Sequence, residues 1–209
     1  MQQSSHKKPF VTISLTVLNV LVFLIMELLG STEDPEFMMQ MGAAWPPCIL
    51  EGQYWRLVTA TFMHFGVEHI MNNMLVLACA GPILEKALGH VKYLLLYLLA
   101  GVGGSVLSFL QMIYSGEYAV SAGASGAIFG VIGALLWVVI RHKGRYETLT
   151  GKGLLFMIAI NLYYGISSGE VDNWGHVGGL LMGFFLGIIL YRKPRKTVDF
   201  GEESPYTYE

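Results

Sequence analysis

The sequence predicts an all-α membrane protein, a bundle of six transmembrane helices, from its composition, its apolar segments and the distribution of its basic residues. Of the 209 residues, 54% are hydrophobic and only 13% are charged, and the mean hydropathy is +0.52. A water-soluble domain usually carries about twice that share of charged residues. Because backbone polar groups in hydrocarbon must bond to one another, helices are the expected way for such a chain to cross a bilayer.

Six apolar segments approach the length that a helix needs to cross a bilayer, roughly 17–25 residues. The fifth is the shortest of them. The predicted spans are Val11–Leu29, His69–Leu84, Tyr93–Ile113, Ala122–Ile140, Gly153–Ser167 and Trp174–Tyr191. They divide the chain into a cytoplasmic N-terminus (1–9), a six-helix domain (10–191) and a cytoplasmic tail (192–209).

The basic residues support this division and orient it. With the N-terminus in the cytoplasm, twelve of the 13 Lys and Arg residues fall on the cytoplasmic side, and only Arg56 falls outside. The positive-inside rule predicts this asymmetry, so both termini are expected in the cytoplasm. Lys7 and Lys8 also resemble the start of a signal peptide, but the apolar run after them is long for a cleaved signal and no A-x-A-like site follows. A chain without a transit peptide fits a prokaryotic plasma membrane.

The segment between the first two predicted helices, residues 30–68, is long for a connection and contains aromatic residues such as Trp45 and Trp55. Loops of this length are usually functional or disordered, and this one is too apolar for disorder. Because Trp and Tyr prefer the interface between water and lipid, we expect an ordered outer loop that is partly immersed in the membrane.

Two negative observations exclude other classes of site. Cys48 and Cys79 lack the spacing of metal ligands and are expected in different environments, so the sequence predicts neither a metal site nor a disulfide. The net charge is −2, and no basic stripe occurs outside the cytoplasmic loops, so nothing indicates nucleic-acid binding.

Glycines recur every three or four residues in the fourth and sixth predicted helices. Small residues on one face let two membrane helices approach closely, so these two helices are expected to be in contact. The glycines are Gly123, Gly126, Gly130 and Gly133 in the fourth helix, and Gly175, Gly179, Gly183 and Gly187 in the sixth.

Polar side chains occupy the first turns of three helices that run from outside to inside: His69 and Asn73, Ser125, and His176. Polar groups are costly in a membrane, so each indicates a functional site. Ser125 begins a helix, where free N–H groups favour negative charge; a role as N-cap is the alternative. His176 is the base that would activate this hydroxyl. The alternative is that His176 only packs in the bundle and bonds to a carbonyl.

His69 and Asn73 are four residues apart and therefore share a helix face. Two donors so placed can stabilise an oxyanion, or they can hold the bundle together through interhelical hydrogen bonds. His64 would not share their face on an ideal helix and is expected in the loop. Asn72 and Asn161 are weaker candidates for the site, and we interpret them as structural.

Taken in order, these residues resemble the rhomboid family of intramembrane serine proteases, over roughly residues 55–187. The matching motifs are Trp55-Arg56, His69-x-x-x-Asn73, Gly81-x-x-x-Glu85-x-x-x-Gly89, Gly123-Ala124-Ser125-Gly126 and Gly175-His176-x-x-Gly179-x-x-x-Gly183. The resemblance implies a catalytic Ser125–His176 dyad without an acidic third member. It also implies an oxyanion hole formed by His69, Asn73 and the backbone N–H of Ser125.

The resemblance extends to supporting residues, with one departure. It implies that Trp55 and Arg56 belong to the outer loop and that Glu85 holds structure at the cytoplasmic end of the second helix. Some family members carry a tyrosine four residues after the serine, where it stacks on the histidine. This chain has Phe129 there, a ring without a hydroxyl.

The implied function is an endopeptidase that cleaves transmembrane segments of other membrane proteins near the outer face, without a metal or organic cofactor. A substrate helix would unwind and enter laterally past the fifth helix. One alternative is a catalytically inactive rhomboid-like protein that binds membrane proteins, which should lack the serine or the histidine. Another is a small transporter, which usually has an internal repeat or an interrupted helix pair; the sequence has neither.

Overall fold

The computed structural model describes residues 8–168 and 171–193 of the chain. In chain order, the helices are α1 (Phe10–Leu29), α2 (Pro35–Met41), α3 (Pro46–Leu50), α4 (Arg56–Thr59), α5 (Gly66–Leu88), α6 (His90–Ser115), α7 (Ser125–Arg141), α8 (Gly151–Ser168) and α9 (Asn173–Leu190). A short hairpin of β1 (Arg145–Tyr146) and β2 (Leu149–Thr150) precedes α8. The predicted N-terminus before Lys8 and the predicted tail after Lys193 lie outside the described residues.

Six of these helices correspond to the six predicted spans. Four of them, α1, α5, α6 and α9, are long and apolar enough to cross a membrane by length and composition, and the 17-residue α7 is apolar but shorter. Large apolar side chains cover their outer surfaces; Leu28, for example, is 86% exposed. A bundle with this surface is a membrane bundle. The number of helices that cross completely stays a prediction.

Basic side chains gather at one end of the bundle, as their sequence positions predict. Lys86 on α5 pairs with Glu147 in the hairpin, with Nζ 2.6 Å from Oε1. Lys193, after α9, donates a hydrogen bond of 3.0 Å to the backbone carbonyl of Arg141 at the end of α7. We call this the basic end. That it faces the cytoplasm stays a prediction.

The predicted contact between the fourth and sixth spans, α7 and α9, is confirmed. A Cβ placed on Gly179 would lie 1.9 Å from the carbonyl oxygen of Gly126, and one on Gly183 would lie 2.0 Å from that of Gly130. No side chain fits between backbones at this distance. The same interface continues to Gly187, whose Cβ would lie 3.0 Å from the Cα of Ala134.

The predicted start of the fourth span at Ala122 is wrong, because α7 begins at Ser125. Gly123 has φ of +146°, a conformation outside the helical region that favours glycine. It therefore belongs to the approach to the helix and not to the glycine stripe. A Cβ there would lie 2.9 Å from Nε2 of His69.

α6 packs closely against the α7–α9 pair, a contact that was not predicted from the sequence. A Cβ on Gly104 of α6 would lie 2.6 Å from the carbonyl oxygen of Gly175, and one on Gly178 of α9 would lie 2.8 Å from that of Gly103. Three helices, α6, α7 and α9, therefore form one closely packed unit.

The outer loop between α1 and α5 is ordered, as predicted, and contains α2, α3, α4 and a 3-10 turn (Ala60–Phe62). Arg56 organises it from a buried position. Its guanidinium donates to the carbonyls of Met39 at 2.6 Å and Ala43 at 2.9 Å, and to Oε1 of Gln53 at 2.8 Å. Trp55 stacks on the same guanidinium, 4.8 Å from its ring centroid. Immersion of this loop in lipid stays a prediction.

Glu85 holds structure near the basic end, in agreement with the sequence analysis. Its carboxylate accepts hydrogen bonds from the backbone N–H groups of Val11 and Thr12, each at 2.8 Å, and from the Thr12 hydroxyl at 2.6 Å. It also bonds to Nδ1 of His90 at 2.6 Å. One buried acid thus ties the first turn of α1 to the α5–α6 junction and satisfies N–H groups that have no partner within the helix.

Candidate functional site

Ser125 is the first residue of α7, and four hydrogen bonds hold the segment that leads to it. The backbones of Ser121 and Ala44 exchange two bonds of 2.9 Å. The Gly123 N–H donates to the carbonyl of Ala60 at 2.9 Å, and the Ala124 N–H donates to Nε2 of His64 at 3.3 Å. The outer loop therefore fixes where α7 begins.

The alternative of an N-capping serine does not hold for Ser125. The N-cap position is Ala124, and no side-chain cap bond occurs there. Ser125 is half-buried. As the first residue of the helix, Ser125 also has a backbone N–H without a helical acceptor.

His176 lies in the first turn of α9 and is buried. Its imidazole stacks on the ring of Phe129, with centroids 4.1 Å apart and planes inclined by 10°. The predicted packing of Phe129 on this histidine is confirmed. Among the described residues, Nδ1 of His176 has no hydrogen-bond partner, so the alternative of a packing histidine bonded to a carbonyl is not met at this nitrogen.

His69 and Asn73 share one face of α5, as predicted. Nδ1 of His69 accepts the Phe65 N–H at 3.3 Å, so a neutral His69 carries its proton on Nε2. That nitrogen and the Ser125 hydroxyl oxygen both lie within 3.5 Å of the place where a Cβ on Gly123 would sit. Nδ2 of Asn73 donates one N–H to the carbonyl of His69 at 3.0 Å. This bond leaves its second N–H unused.

These four residues line a single cavity of about 180 Å³ at the end opposite the basic end. The cavity has room for several water molecules. Within residues 8–168 and 171–193, no hydrogen bond joins the side chains of Ser125 and His176. In an enzyme without substrate such bonds are often long and form only in the complex.

The interpretation of Asn72 and Asn161 as structural needs correction in one respect. Both side chains line the cavity, together with Met157 and Tyr164 of α8. Asn161 donates to the carbonyl of Met157 at 2.8 Å, a bond within its own helix. Neither amide is therefore committed to joining two helices.

Two polar residues beside the site were missed or undervalued: the half-buried Asp172 and the buried His64. Asp172 caps α9: Oδ1 accepts the Gly175 N–H at 2.8 Å, and Oδ2 accepts the hydroxyls of Ser108 at 2.5 Å and Ser121 at 2.7 Å. Its position three residues before Gly175, at the start of an apolar run, is an N-cap signal that was available in the sequence.

His64 is in the loop, as expected, but it is completely buried and bonds next to Ser125. Burial, and to a smaller degree the neighbouring His69, lowers the pKa of His64 to about 3. The imidazole is therefore neutral near pH 7 and can accept the Ala124 N–H. No spacing in the sequence pointed to this contact, because it joins residues that are sixty positions apart.

Comparisons with known proteins identify the family of the chain that carries this site. A family model described as the Rhomboid domain matches residues 51–193. The chain is 38% identical over 183 residues to "Rhomboid protease GluP" of Bacillus subtilis, an alignment that covers 88% of this chain and 35% of that protein. It is 33% identical over 183 residues to "Rhomboid-like protease 1" of Toxoplasma gondii, covering 82% of this chain and 60% of that protein.

A plant relative gives a similar result. The chain is 39% identical over 165 residues to "RHOMBOID-like protein 6, mitochondrial" of Arabidopsis thaliana, covering 78% of this chain and 52% of that protein. The chain thus spans between about a third and three fifths of the length of these relatives. The matched region contains every residue of the cavity described above, and the chain belongs to the rhomboid family.

Proposed function

We propose that this protein is an intramembrane serine endopeptidase with a Ser125–His176 dyad, which cleaves transmembrane segments of membrane proteins near the outer membrane face. The observation that carries the proposal is the shared cavity. A hydroxyl at a helix N-terminus and a buried imidazole line it together with two hydrogen-bond donors from a third helix. A hydroxyl needs such a base to become a nucleophile.

In the proposed mechanism, His176 takes the proton of the Ser125 hydroxyl as the oxygen attacks the scissile carbonyl. The oxyanion of the tetrahedral intermediate accepts hydrogen bonds from Nε2–H of His69, the free N–H of Asn73 and the backbone N–H of Ser125. His176 then protonates the leaving amine, and water from the cavity hydrolyses the acyl-enzyme through the same base. These steps need no metal or organic cofactor.

Phe129 has a defined role in this proposal. Its ring covers one face of the His176 imidazole and so restricts the rotation of the proposed base. A tyrosine at this position would offer the same face, so its hydroxyl is not required to orient the histidine.

We further propose that the substrate enters from the lipid between α5 and α8. The cavity is lined by α5 on one side and by Met157, Asn161 and Tyr164 of α8 on the other. Among the described side chains of α8, only Leu154, Ile158 and Gly165 are buried, so few contacts oppose its displacement. With the basic end in the cytoplasm of a prokaryotic cell, the site would lie towards the outside.

The test is cleavage of a fluorescent transmembrane peptide by the purified protein in proteoliposomes. We expect Ser125→Ala and His176→Ala to abolish cleavage without lowering the melting temperature. Ser115→Ala on α6 and His142→Ala at the basic end are matched controls and should retain activity. A serine-reactive fluorophosphonate should label the wild type but not Ser125→Ala. Cleavage by either dyad variant would refute the assignment.

The same assay tests the proposed oxyanion donors and the second candidate function. Asn73→Ala should slow turnover by about 10²–10³ while the melting temperature is unchanged; unfolding would instead favour a structural role. A wild type that neither cleaves nor reacts with the fluorophosphonate, but binds the peptide, would favour the inactive membrane-protein binding factor.

A further inference from the structure

Two amide side chains that the dyad mechanism does not use line the cavity from the two helices that flank the proposed path of the substrate. Asn72 lies on α5 and Asn161 on α8. Both are exposed at the surface of the bundle. A polar side chain on the lipid-facing side of a membrane helix costs free energy unless a hydrogen-bond partner is present.

The two amides lie at similar depth. Asn72 is six residues after the start of α5 at Gly66, and Asn161 is seven residues before the end of α8 at Ser168. At a rise of 1.5 Å per residue they lie about 9 and 11 Å from the helix ends on the side of the site. The neighbouring residue of Asn72 is Asn73, so this is also the depth of the proposed oxyanion donors.

Both amides have hydrogen-bonding capacity to spare. Asn161 uses one N–H for the Met157 carbonyl, which leaves its carbonyl oxygen and its second N–H. In the described part of the chain, the Asn72 amide takes part in no hydrogen bond. A primary amide offers both a donor and an acceptor, the same pair that a peptide group offers.

A substrate helix needs these groups at this place. Unwinding a transmembrane helix releases N–H and C=O groups that were bonded within it, and hydrocarbon offers no replacement. The barrier to unwinding falls if the protein supplies partners at the point where the helix passes from lipid into the cavity.

We propose that Asn72 and Asn161, the gate amides, bind the backbone of a substrate helix as it unwinds between α5 and α8. This rests on the proposed protease function. The gate amides recognise peptide groups and not side chains, so they favour no sequence at this subsite. Their contribution is largest for substrates whose helices are stable in lipid and smallest for substrates that unwind readily.

The experiment measures kcat/KM for two transmembrane peptides in proteoliposomes. One has a leucine- and alanine-rich stretch beyond the cleaved bond, and the other has Gly-Pro inserted there to weaken the helix. The variants are Asn72→Leu and Asn161→Leu, which keep the side-chain size. Gln111→Leu on α6, which removes an amide away from the cavity, is the matched control, and Asn72→Gln tests rescue by a retained amide.

We expect each Leu variant to lower kcat/KM about three- to tenfold on the stable helix, the contribution of one hydrogen bond, and less than about twofold on the weakened helix. Gln111→Leu should act as the wild type, and Asn72→Gln should recover most of the loss. The rate of Ser125 labelling by the fluorophosphonate should be unchanged in all variants.

An equal loss on both peptides, or no loss on either, would overturn the role of the gate amides while leaving the protease intact. A wild type that cleaves neither peptide and is not labelled would refute the proposed function itself. The two failures are therefore distinguishable.

Discussion

The packed unit of α6, α7 and α9 and the single helix α8 contribute to the same cavity but differ in how they are held. Eleven of the 17 residues of α7 are buried, whereas only Leu154, Ile158 and Gly165 are buried among the described side chains of α8. The packed unit carries Ser125 and His176, and α8 carries one of the gate amides. Under the proposed function, this difference separates the helices that carry the proposed dyad from the helix that is proposed to admit the substrate.

Glycine is the physical reason for the difference. In the packed unit, backbones meet at distances that exclude any side chain, so a small displacement would produce a clash or a void. In α8, by contrast, the nearest atoms to such a Cβ belong to side chains and not to the backbone of another helix. A Cβ on Gly151 would make an ordinary contact of 3.7 Å with Val139, and one on Gly165 would meet the side chain of Asn173. Catalytic groups need positions fixed to a fraction of an ångström. A helix beside a path for substrate must instead be able to move.

The largest effect should follow from a side chain placed inside the packed unit. Gly179→Ala puts a methyl group 1.9 Å from the Gly126 carbonyl oxygen, so α7 and α9 must separate. We expect a loss of about 3 kcal/mol in the free energy of unfolding, and a loss of cleavage because Ser125 and His176 move apart. Unfolding in mixed micelles measures the first and the peptide assay the second.

Gly151→Ala in α8 is the control for that variant and should change stability by less than about 0.5 kcal/mol. Equal tolerance of both substitutions would contradict the distinction between the packed unit and α8.

The next effect concerns the cap that anchors the first turn of α9 to α6 and to the segment before α7. Asp172→Ala removes the acceptor for the Gly175 N–H and for two hydroxyls on other segments. Loss of an N-cap together with such bonds should cost about 2 kcal/mol of stability. Asp172→Asn, which retains an acceptor, should lose about half as much in the same unfolding titration. If the Ala and Asn variants are equally stable, the cap does not anchor the helix.

A smaller effect on activity should follow from tying α8 to α5. In a background without Cys48 and Cys79, Val76→Cys with Met157→Cys places one thiol on each helix at the cavity. A reducible bifunctional reagent should lower cleavage of a transmembrane peptide by at least about tenfold, because closure of a gate blocks access. Fluorophosphonate labelling of Ser125 should persist, and reduction should restore cleavage.

Single-cysteine variants treated with the same reagent are the control for this tether. Full cleavage by the doubly linked protein would mean that the substrate takes another path.

The α7–α9 part of the packed unit could be predicted from the sequence better than its surroundings, for a physical reason. The glycine spacing of α7 and α9, the two polar first turns and the basic end are all local patterns, and local patterns can be read from one chain. The start of α7 was misplaced because Gly123 continues the apolar run in the sequence, whereas its φ angle lies outside the helical region. The N-cap signal of Asp172 was local and was overlooked, but its bonds to Ser108 and Ser121 join residues far apart in the chain. The contact of His64 with Ala124 is also long-range, and no local pattern contains such contacts.

The smallest effect tests whether the loop before α5 belongs with the packed unit. The neutral His64 imidazole accepts the N–H of Ala124, and burial lowers its pKa to about 3, below the ordinary value of 6.5. As the pH falls below 6.5, the unfolded chain binds a proton at this residue and the folded protein does not. The contribution of His64 to the free energy of unfolding is therefore fully present above pH 6.5 and is lost on acidification towards pH 3. About 1 kcal/mol is lost between pH 7.5 and 6.

His64→Gln keeps an acceptor but does not titrate, so its stability should depend less on pH than that of the wild type by this amount. Unfolding titrations of the two proteins at both pH values measure the difference. Parallel pH profiles would mean that His64 is accessible to protons in the folded state, and the segment that positions Ser125 would then belong with the mobile side of the molecule. A difference of the expected size would place that segment with the packed unit, which would then include every element that bonds to the residues flanking Ser125.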